Sequence, residues 1–367
     1  MPARPSGHPR SIAVALLAVV FALFACLIGV GIGYAIHSAR TTPAAPPAST
    51  QAPGGTSIGP SRTSAVAARV APSLVNIFAT LAYASAQQAG TGMVVTSAGR
   101  VITNNHVIAG ATAIHTTDLG NGKTYDASVV GYDASNDVAV LQLEGAADLP
   151  TVSFAGSSAR IGDTVIAVGN AGGTGTPTAA AGVVTGLNQT ITARSELSGT
   201  TELLTGLIET DAAIEAGQSG GPLVDTGGRV IGMVTAGSSD FAFSDGASQG
   251  YAIPAPRFRS TAADIVNGRE SATVHVGPTA FLGVRVTSVQ EPGALVVQVL
   301  SASPAATAGI LPGDLIVGLA DEAVRAPETL SSVLAAHDPG ATLQVHLRDQ
   351  AGELRTVMVT LGAGPPA

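Results

Sequence analysis

The chain of 367 residues contains one cysteine, Cys26, and that residue lies in an apolar run near the N-terminus. A lone thiol there leaves no internal disulfide framework, no Cys-based zinc site and no Cys–His nucleophile in the globular part. Covalent catalysis, if present, must use another nucleophile. Aromatic residues make up 4% of the chain and charged residues 11%, with no block of Lys and Arg and a net charge of −8. A surface that tracks phosphates and stacks bases is therefore not expected, and nucleic acid is set aside as a partner. A charge-free stretch runs from Ser11 to Ala39. Within it, residues 12–36 are apolar and long enough to cross a hydrocarbon layer of roughly 30 Å, so a single transmembrane helix is predicted there. Arg4 and Arg10 precede it and Arg40 follows, which places residues 1–11 in the cytoplasm and the remainder outside. A cleaved signal peptide is the competing reading, but this run exceeds the roughly 7 to 15 residues of a signal h-region. Leu23-Phe24-Ala25-Cys26 faintly matches a lipoprotein box, against which stands the apolar run continuing past Cys26.

What the chain does have, at 46% hydrophobic residues, is enough apolar content for two cores. Residues 37–63 are rich in Pro, Ala, Ser and Thr without hydrophobic periodicity, the composition of a disordered tether. Short β-branched runs then follow one another between Gly, Asn and Asp: Leu74 to Phe78, Gly92 to Val95, Val101 to Thr103, Val138 to Leu143, Thr164 to Val168 and Val230 to Thr235. This spacing predicts antiparallel strands in a barrel or sandwich, not alternating βαβ units. A short helical pattern from Phe258 to Gly268 closes the first domain, expected over 64–268, and a second domain is expected over 272–362.

The most informative string is Gly217-Gln218-Ser219-Gly220-Gly221-Pro222-Leu223. Glycines around a serine let backbone N–H groups converge without Cβ obstruction. A serine hydroxyl becomes a useful nucleophile when an imidazole takes its proton and a carboxylate orients the imidazole. Thr103-Asn104-Asn105-His106-Val107 presents a histidine just after a strand, and Asp137 opens the run Val138-Ala139-Val140-Leu141. Asp133 is the rival carboxylate; it reads as a turn residue, whereas Asp137 abuts the strand. His115, His275, His337 and His346 lack a comparable context.

In order and flanks, residues 66–255 resemble the protease domain of the HtrA family, also called the DegP family. The resemblance is carried by Val70 to Ile77, Gly90-Thr91-Gly92, Ile102 to Ile108, Asn136 to Leu141, Thr210 to Ile214, Gly217 to Leu223 and Gly250 to Pro254. It implies two antiparallel trypsin-like barrels with the active site between them, Ser219 as nucleophile, His106 as general base and then acid, and Asp137 as the orienting carboxylate. It further implies an oxyanion hole from the N–H groups of Gly217 and Ser219. Two departures stand out: Glu215-Ala216 where the family often has Asn-Pro, and Gln218 where it often has Asn. Both bear on how the oxyanion loop is held, since Glu215 brings a negative charge near it.

On the same resemblance, the strand Thr235-Ala236-Gly237 pairs with the substrate backbone, and Ala213 and Ile214 begin the wall of an uncharged primary pocket. A P1 residue such as Val, Ile, Leu or Ala is implied, with Gly237 leaving room for something larger. Residues 272–362 resemble the small α+β PDZ domain of this family through Phe281-Leu282-Gly283-Val284, Ser303 to Ile310 and Pro312 to Ile316. Phe281, Leu282, Gly283 and Val284 would form the loop that captures a peptide C-terminal carboxylate, the next strand adding the peptide by β-augmentation. Leu330, Val333 and Leu334 fall at helical spacing and would line the groove or fill the core. Unfolded proteins and peptide C-termini are the implied partners, trimers the implied assembly, and no metal or organic cofactor is implied. Two other classes are kept open: a peptide-binding or chaperone-like protein with little protease activity, and an α/β-hydrolase esterase, because Gly217 to Gly221 also satisfies G-x-S-x-G. The second needs a helix after the serine, where this chain has Gly220-Gly221-Pro222.

Overall fold

In the computed structural model the described residues are 58–81, 86–194, 201–237, 249–364 and 366. The expected transmembrane helix over 12–36 lies outside them, as does most of the expected tether. Among the described residues no helix is long and apolar enough to cross a membrane.

The chain enters through helix α1 (Pro60–Val70), with Pro60 at its first turn where a missing N–H costs nothing, and buries Thr63, Val66 and Val70. Six strands follow: β1 (Leu74–Leu81), β2 (Ala86–Val94), β3 (Arg100–Thr103), β4 (Ala113–Asp118), β5 (Thr124–Asp133) and β6 (Val138–Leu143). They pair antiparallel in the order β5-β4-β1-β2-β3-β6, and β5 also pairs with β6, so the sheet closes on itself. A second closed barrel has the order β10-β11-β12-β9-β8-β7, from β7 (Thr164–Gly169), β8 (Thr178–Arg194), β9 (Thr201–Thr210), β10 (Pro222–Asp225), β11 (Val230–Gly237) and β12 (Gly250–Pro254). Closure removes free sheet edges, and alternating burial along the strands fills each interior with Val, Ile, Leu and Ala. Pro222 opens a strand, not a helix. The α/β-hydrolase reading is thereby overturned.

Between the barrels lies a third apolar cluster, drawn from Leu74, Met93 and Val138 of the first and Ile166, Met233 and Ile253 of the second. Helix α2 (Ala255–Val266) seals it with Phe258, which is fully buried. Burying such a ring contributes roughly 1.5–3 kcal/mol. The cluster holds the two barrels face to face and so fixes the cleft they share.

After α2, strand β13 (Val274–Val276) adds to the first barrel's sheet at β5, pairing Val274 with Asp133 and His275 with Tyr132. The PDZ fold follows as β14 (Thr279–Phe281), β15 (Val284–Thr287), β16 (Ala294–Val299), α3 (Pro304–Thr307), β17 (Leu315–Leu319), β18 (Glu322–Ala323), α4 (Pro327–Ala335), β19 (Thr342–Arg348), β20 (Leu354–Thr360) and β21 (Gly362–Gly364). Its sheet runs β15-β16-β17-β19-β20, leaving β15 at an edge. Leu330 and Val333 on α4 are buried in this domain's core, with Leu334 half-buried beside them.

Candidate active site

Each of the three residues singled out as a triad sits at a strand end facing the cleft. His106 lies in the turn after β3, Asp137 in the turn from β5 to β6, and Ser219 in the loop before β10. Asp137 has φ of 52°, a left-handed conformation that Asp tolerates better than most residues. Asp133 braces that turn: its Oδ1 accepts the Asn136 N–H at 3.0 Å and its Oδ2 the Asn136 side-chain N–H at 2.6 Å. It also accepts the Thr273 hydroxyl at 3.1 Å, while Arg257 donates to Asn136 Oδ1. Asp133 is thus a turn-former, with its carboxylate engaged by Asn136 and Thr273.

The Asp137 carboxylate is 1% exposed and receives three kinds of donor. Its Oδ1 accepts the His106 backbone N–H at 3.0 Å, its Oδ2 lies 2.9 Å from His106 Nδ1, and Oδ2 also accepts the Thr235 hydroxyl in a short hydrogen bond. Such bonds offset the cost of removing a carboxylate from water. An ionised carboxylate can only accept, so Nδ1 is the donor of the pair and Nε2 is the ring nitrogen with acceptor character. Asn104 ties the same turn from the other side, donating to the Asp137 carbonyl at 2.9 Å. Thr235 connects the barrels: its hydroxyl touches Asp137, and its carbonyl accepts from Ser219 Oγ at 3.4 Å. The sequence marked Thr235 only as a substrate-strand residue; nothing local signals its second task.

Five consecutive carbonyls around the serine are occupied. Those of Glu215, Ala216, Gly217, Gln218 and Ser219 accept, respectively, from Gln218 N at 3.1 Å, Gly172 N at 2.8 Å, Thr91 Oγ1 at 2.9 Å, Gly221 N at 2.9 Å and Thr91 N at 2.9 Å. In contrast, the N–H groups of Gly217 and Ser219 donate to no acceptor among the described residues. A trans peptide points its N–H opposite to its C=O. With the Ala216 and Gln218 carbonyls engaged on one side, the Gly217 and Ser219 N–H groups are turned to the other. Two unpaired donors flanking a serine are what an oxyanion needs. Gly217 has φ of 92°.

The two departures from the family pattern combine into one contact set. Gln218 Oε1 accepts the Glu215 N–H at 3.0 Å, and Gln218 Nε2 donates to the Thr178 hydroxyl at 3.0 Å. Gln218 is 1% exposed, so this extra side-chain length is spent inside the loop. Glu215 itself is exposed, where water screens its charge.

Of the expected pocket residues, Ala213 is exposed, and Ile214 is 5% exposed within the second barrel's core cluster. A Cβ at Gly250 would overlap Ile214, so these two pack directly. On β11, Ala236 and Gly237 pair with Tyr251 and Gly250 of β12. The pairing with β10 ends at Met233, so the other edge of Thr235 to Gly237 has no strand partner among the described residues. Burial, reinforced by the negative charge of Glu209, holds the Tyr251 phenol above its ordinary pKa, and its hydroxyl donates to Gln249 Oε1 at 3.1 Å. In the PDZ fold, the N–H groups of Leu282 and Gly283 also donate to no acceptor among the described residues. Phe281 and Val284 end β14 and begin β15 on either side of them. Among the described residues, no group of three or more His, Cys, Asp and Glu side chains is placed to hold a metal.

Comparison with known proteins identifies both domains. The profile of the trypsin-like peptidase domain matches residues 90–233, and that of the PDZ domain matches residues 280–361. Serine protease PepD of Mycobacterium tuberculosis is 31% identical over 377 residues, covering 97% of this chain and 79% of PepD. The chain belongs to the HtrA, or DegP, family of serine proteases. Periplasmic serine endoprotease DegP of Escherichia coli is 34% identical over 270 residues, 70% of this chain and 54% of DegP, so the match spans about half of that longer relative. Among solved structures, the Rv3671c protease from M. tuberculosis in its active form has 31% sequence identity and a TM-score of 0.50, covering 61% of this chain and 94% of that one. The HtrA fold accounts for both closed barrels and for the appended PDZ sheet.

Proposed function

We propose that this HtrA-family protease is a membrane-anchored extracytoplasmic endopeptidase that cleaves unfolded or damaged proteins after small or medium apolar residues. Ser219 is its nucleophile, His106 its base and then acid, Asp137 the orienting carboxylate, and Gly217 and Ser219 N–H its oxyanion hole. The observation that carries this reading is the pair of unpaired N–H groups beside Ser219, together with a histidine whose Nδ1 is held by a buried aspartate. In the reaction Nε2 takes the Ser219 proton as Oγ attacks the scissile carbonyl, the two N–H groups receive the developing oxyanion, and the imidazolium then protonates the leaving amine. The unpartnered edge of Thr235, Ala236 and Gly237 supports substrate pairing as an added strand. Ala213 and Ile214 carry no charge, which supports apolar P1 residues. Fit alone discriminates by only about 1 to 3 kcal/mol per methylene, so the cleavage pattern should be selective but not strict. Incubating the purified ectodomain with an unfolded protein and sequencing the new C-termini tests this. Val, Ile, Leu and Ala should dominate at P1; a majority of Lys or Arg would contradict the pocket assignment.

The anchor rests on the charge-free stretch from Ser11 to Ala39 and its flanking arginines; the periplasmic naming of relatives such as DegP supports the same side of the membrane. Protease added to intact cells lacking an outer barrier should digest the catalytic domain. Protection until lysis would reverse the topology. The unpaired N–H groups of Leu282 and Gly283, next to edge strand β15, support recognition of a peptide C-terminus by Phe281, Leu282, Gly283 and Val284. A carboxylate held by backbone N–H groups makes charge-assisted bonds, so amidating a bound peptide should weaken its affinity at least about tenfold by calorimetry. Equal affinity of the acid and the amide would refute the carboxylate loop. A trimeric assembly is the family's implication for the oligomer, and sedimentation of the ectodomain tests it: a monomer at assay concentration would refute it.

A further inference from the structure

Gly217 lacks the Cβ that would restrict its backbone, so the loop holding the two oxyanion donors is free to rotate unless something outside the loop fixes it. The residue placed to do so is Thr91, on β2 of the opposite barrel and fully buried. Each of its polar atoms is engaged. The Thr91 hydroxyl donates to the Gly217 carbonyl at 2.9 Å and accepts the Asn170 N–H at 2.9 Å. Its backbone N–H donates to the Ser219 carbonyl at 2.9 Å. Its carbonyl accepts the Thr103 hydroxyl at 2.7 Å, on the strand that leads to His106. One residue thus grips the serine loop on both sides of Gln218 and ties it to the histidine strand.

The Asn170 turn, the second support of the loop, is itself tied back to the first barrel. Gly172 N–H holds the Ala216 carbonyl, Gly175 N–H donates to Asn170 Oδ1 at 2.7 Å, and Asn76 on β1 donates to the Gly175 carbonyl at 2.8 Å. Of the bonds that reach the backbone of residues 216–219 from outside the loop, Thr91 supplies two and Gly172 one. Resting on the assignment of Gly217 and Ser219 as oxyanion donors, we infer that Thr91 is a positioning residue. Its hydroxyl sets the tilt of the Gly217–Gln218 peptide and, through it, the aim of the Gly217 N–H at the oxyanion. Removing the hydroxyl leaves two buried backbone groups, Gly217 C=O and Asn170 N–H, each short of a partner. A loop carrying an unsatisfied carbonyl next to a glycine relaxes by turning about the Gly217 Cα, and the adjoining Ala216–Gly217 peptide, which carries the donor, is re-aimed with it.

Thr91→Val keeps the side-chain shape and deletes the hydroxyl; Thr91→Ser keeps the hydroxyl and deletes the methyl. Positioning predicts a kcat lowered roughly 30- to 300-fold in Thr91→Val with KM within about threefold, because a donor misplaced by about an ångström forfeits transition-state binding. Affinity for a peptidyl boronic acid, whose tetrahedral adduct occupies the oxyanion site, should fall in parallel with kcat. Thr91→Ser should recover most of both. Should Thr91→Val fail to fold, Thr91→Ala deletes the same hydroxyl without the added methyl and should show the same kcat loss. A folded hydroxyl-free variant with kcat and boronate affinity within threefold of the parent would overturn the inference while leaving the protease assignment intact. Equal loss in Thr91→Ser and Thr91→Val would overturn it as well, assigning the effect to packing. A parent protein that neither turns over substrate nor binds the boronate would instead sink the proposed function.

Discussion

Ser219→Ala lowers the hydrolysis of an unfolded protein by roughly 10⁴-fold or more, while the protein keeps its fold and its thermal unfolding temperature within a few degrees. The first half follows because the proposed mechanism draws its nucleophilic oxygen from Ser219, and alanine supplies none. The second half follows because the one hydrogen bond described for Ser219 Oγ, to the Thr235 carbonyl, is long at 3.4 Å. Losing it costs less than about 1 kcal/mol. His106→Ala should behave alike, and the double variant should be no worse than either single one, because nucleophile and base act as a unit. Turnover by peptide release, measured beside a melting curve, checks all three. A pure Ser219→Ala protein retaining a tenth of parental activity would remove Ser219 from the mechanism.

Gly217→Ala should be the second large effect. Gly217 has φ of 92°, and an added Cβ would overlap the Asn170 carbonyl oxygen. A left-handed alanine costs about 1–2 kcal/mol, and the overlap forces the loop away from the Asn170 turn. The displaced peptide is the one that carries an oxyanion donor, and losing one such donor lowers kcat by roughly 10²- to 10³-fold. Since the ground-state substrate makes few demands on that N–H, KM should move little. Steady-state kinetics of the folded variant separate the two terms. An unchanged kcat would show that the Gly217 N–H does not serve the transition state.

Much of the site is legible because each member announces itself locally. Ser219 is packed among glycines, His106 follows a β-branched strand, and Asp137 opens the buried run Val138 to Leu141. The barrel class is legible from short runs such as Thr164 to Val168, which become strand β7. Long hairpin β8–β9 is harder to see: its register shifts near Gly186 and Gln189 break the period-two pattern, and its Thr, Ala and Gly residues mark neither face. Contacts made between barrels are not legible at all. Thr235 closes an ordinary β-branched run, yet its hydroxyl reaches Asp137 across 98 positions of sequence. Thr91 sits in a Gly-Thr-Gly string that suits a strand, yet it grips Gly217 across 126 positions. Nothing in either neighbourhood encodes those partners, because docking through the shared apolar cluster brings them together. Gln218 is visible as a departure, but its consequence emerges only once Thr178 and the Glu215 N–H are seen to receive its extra length.

In the proposed mechanism Ser219 is a nucleophile activated by His106 and presented to a formed oxyanion hole. The most direct measurement is covalent labelling of the purified ectodomain with a fluorophosphonate probe, followed by mass mapping of the modified peptide, on the parent and on His106→Ala. One adduct is expected, on Ser219, in the parent, and labelling of His106→Ala should be slowed by at least about 100-fold. An adduct on a different serine, or an unlabelled Ser219 in a folded parent that still cleaves protein, would contradict it.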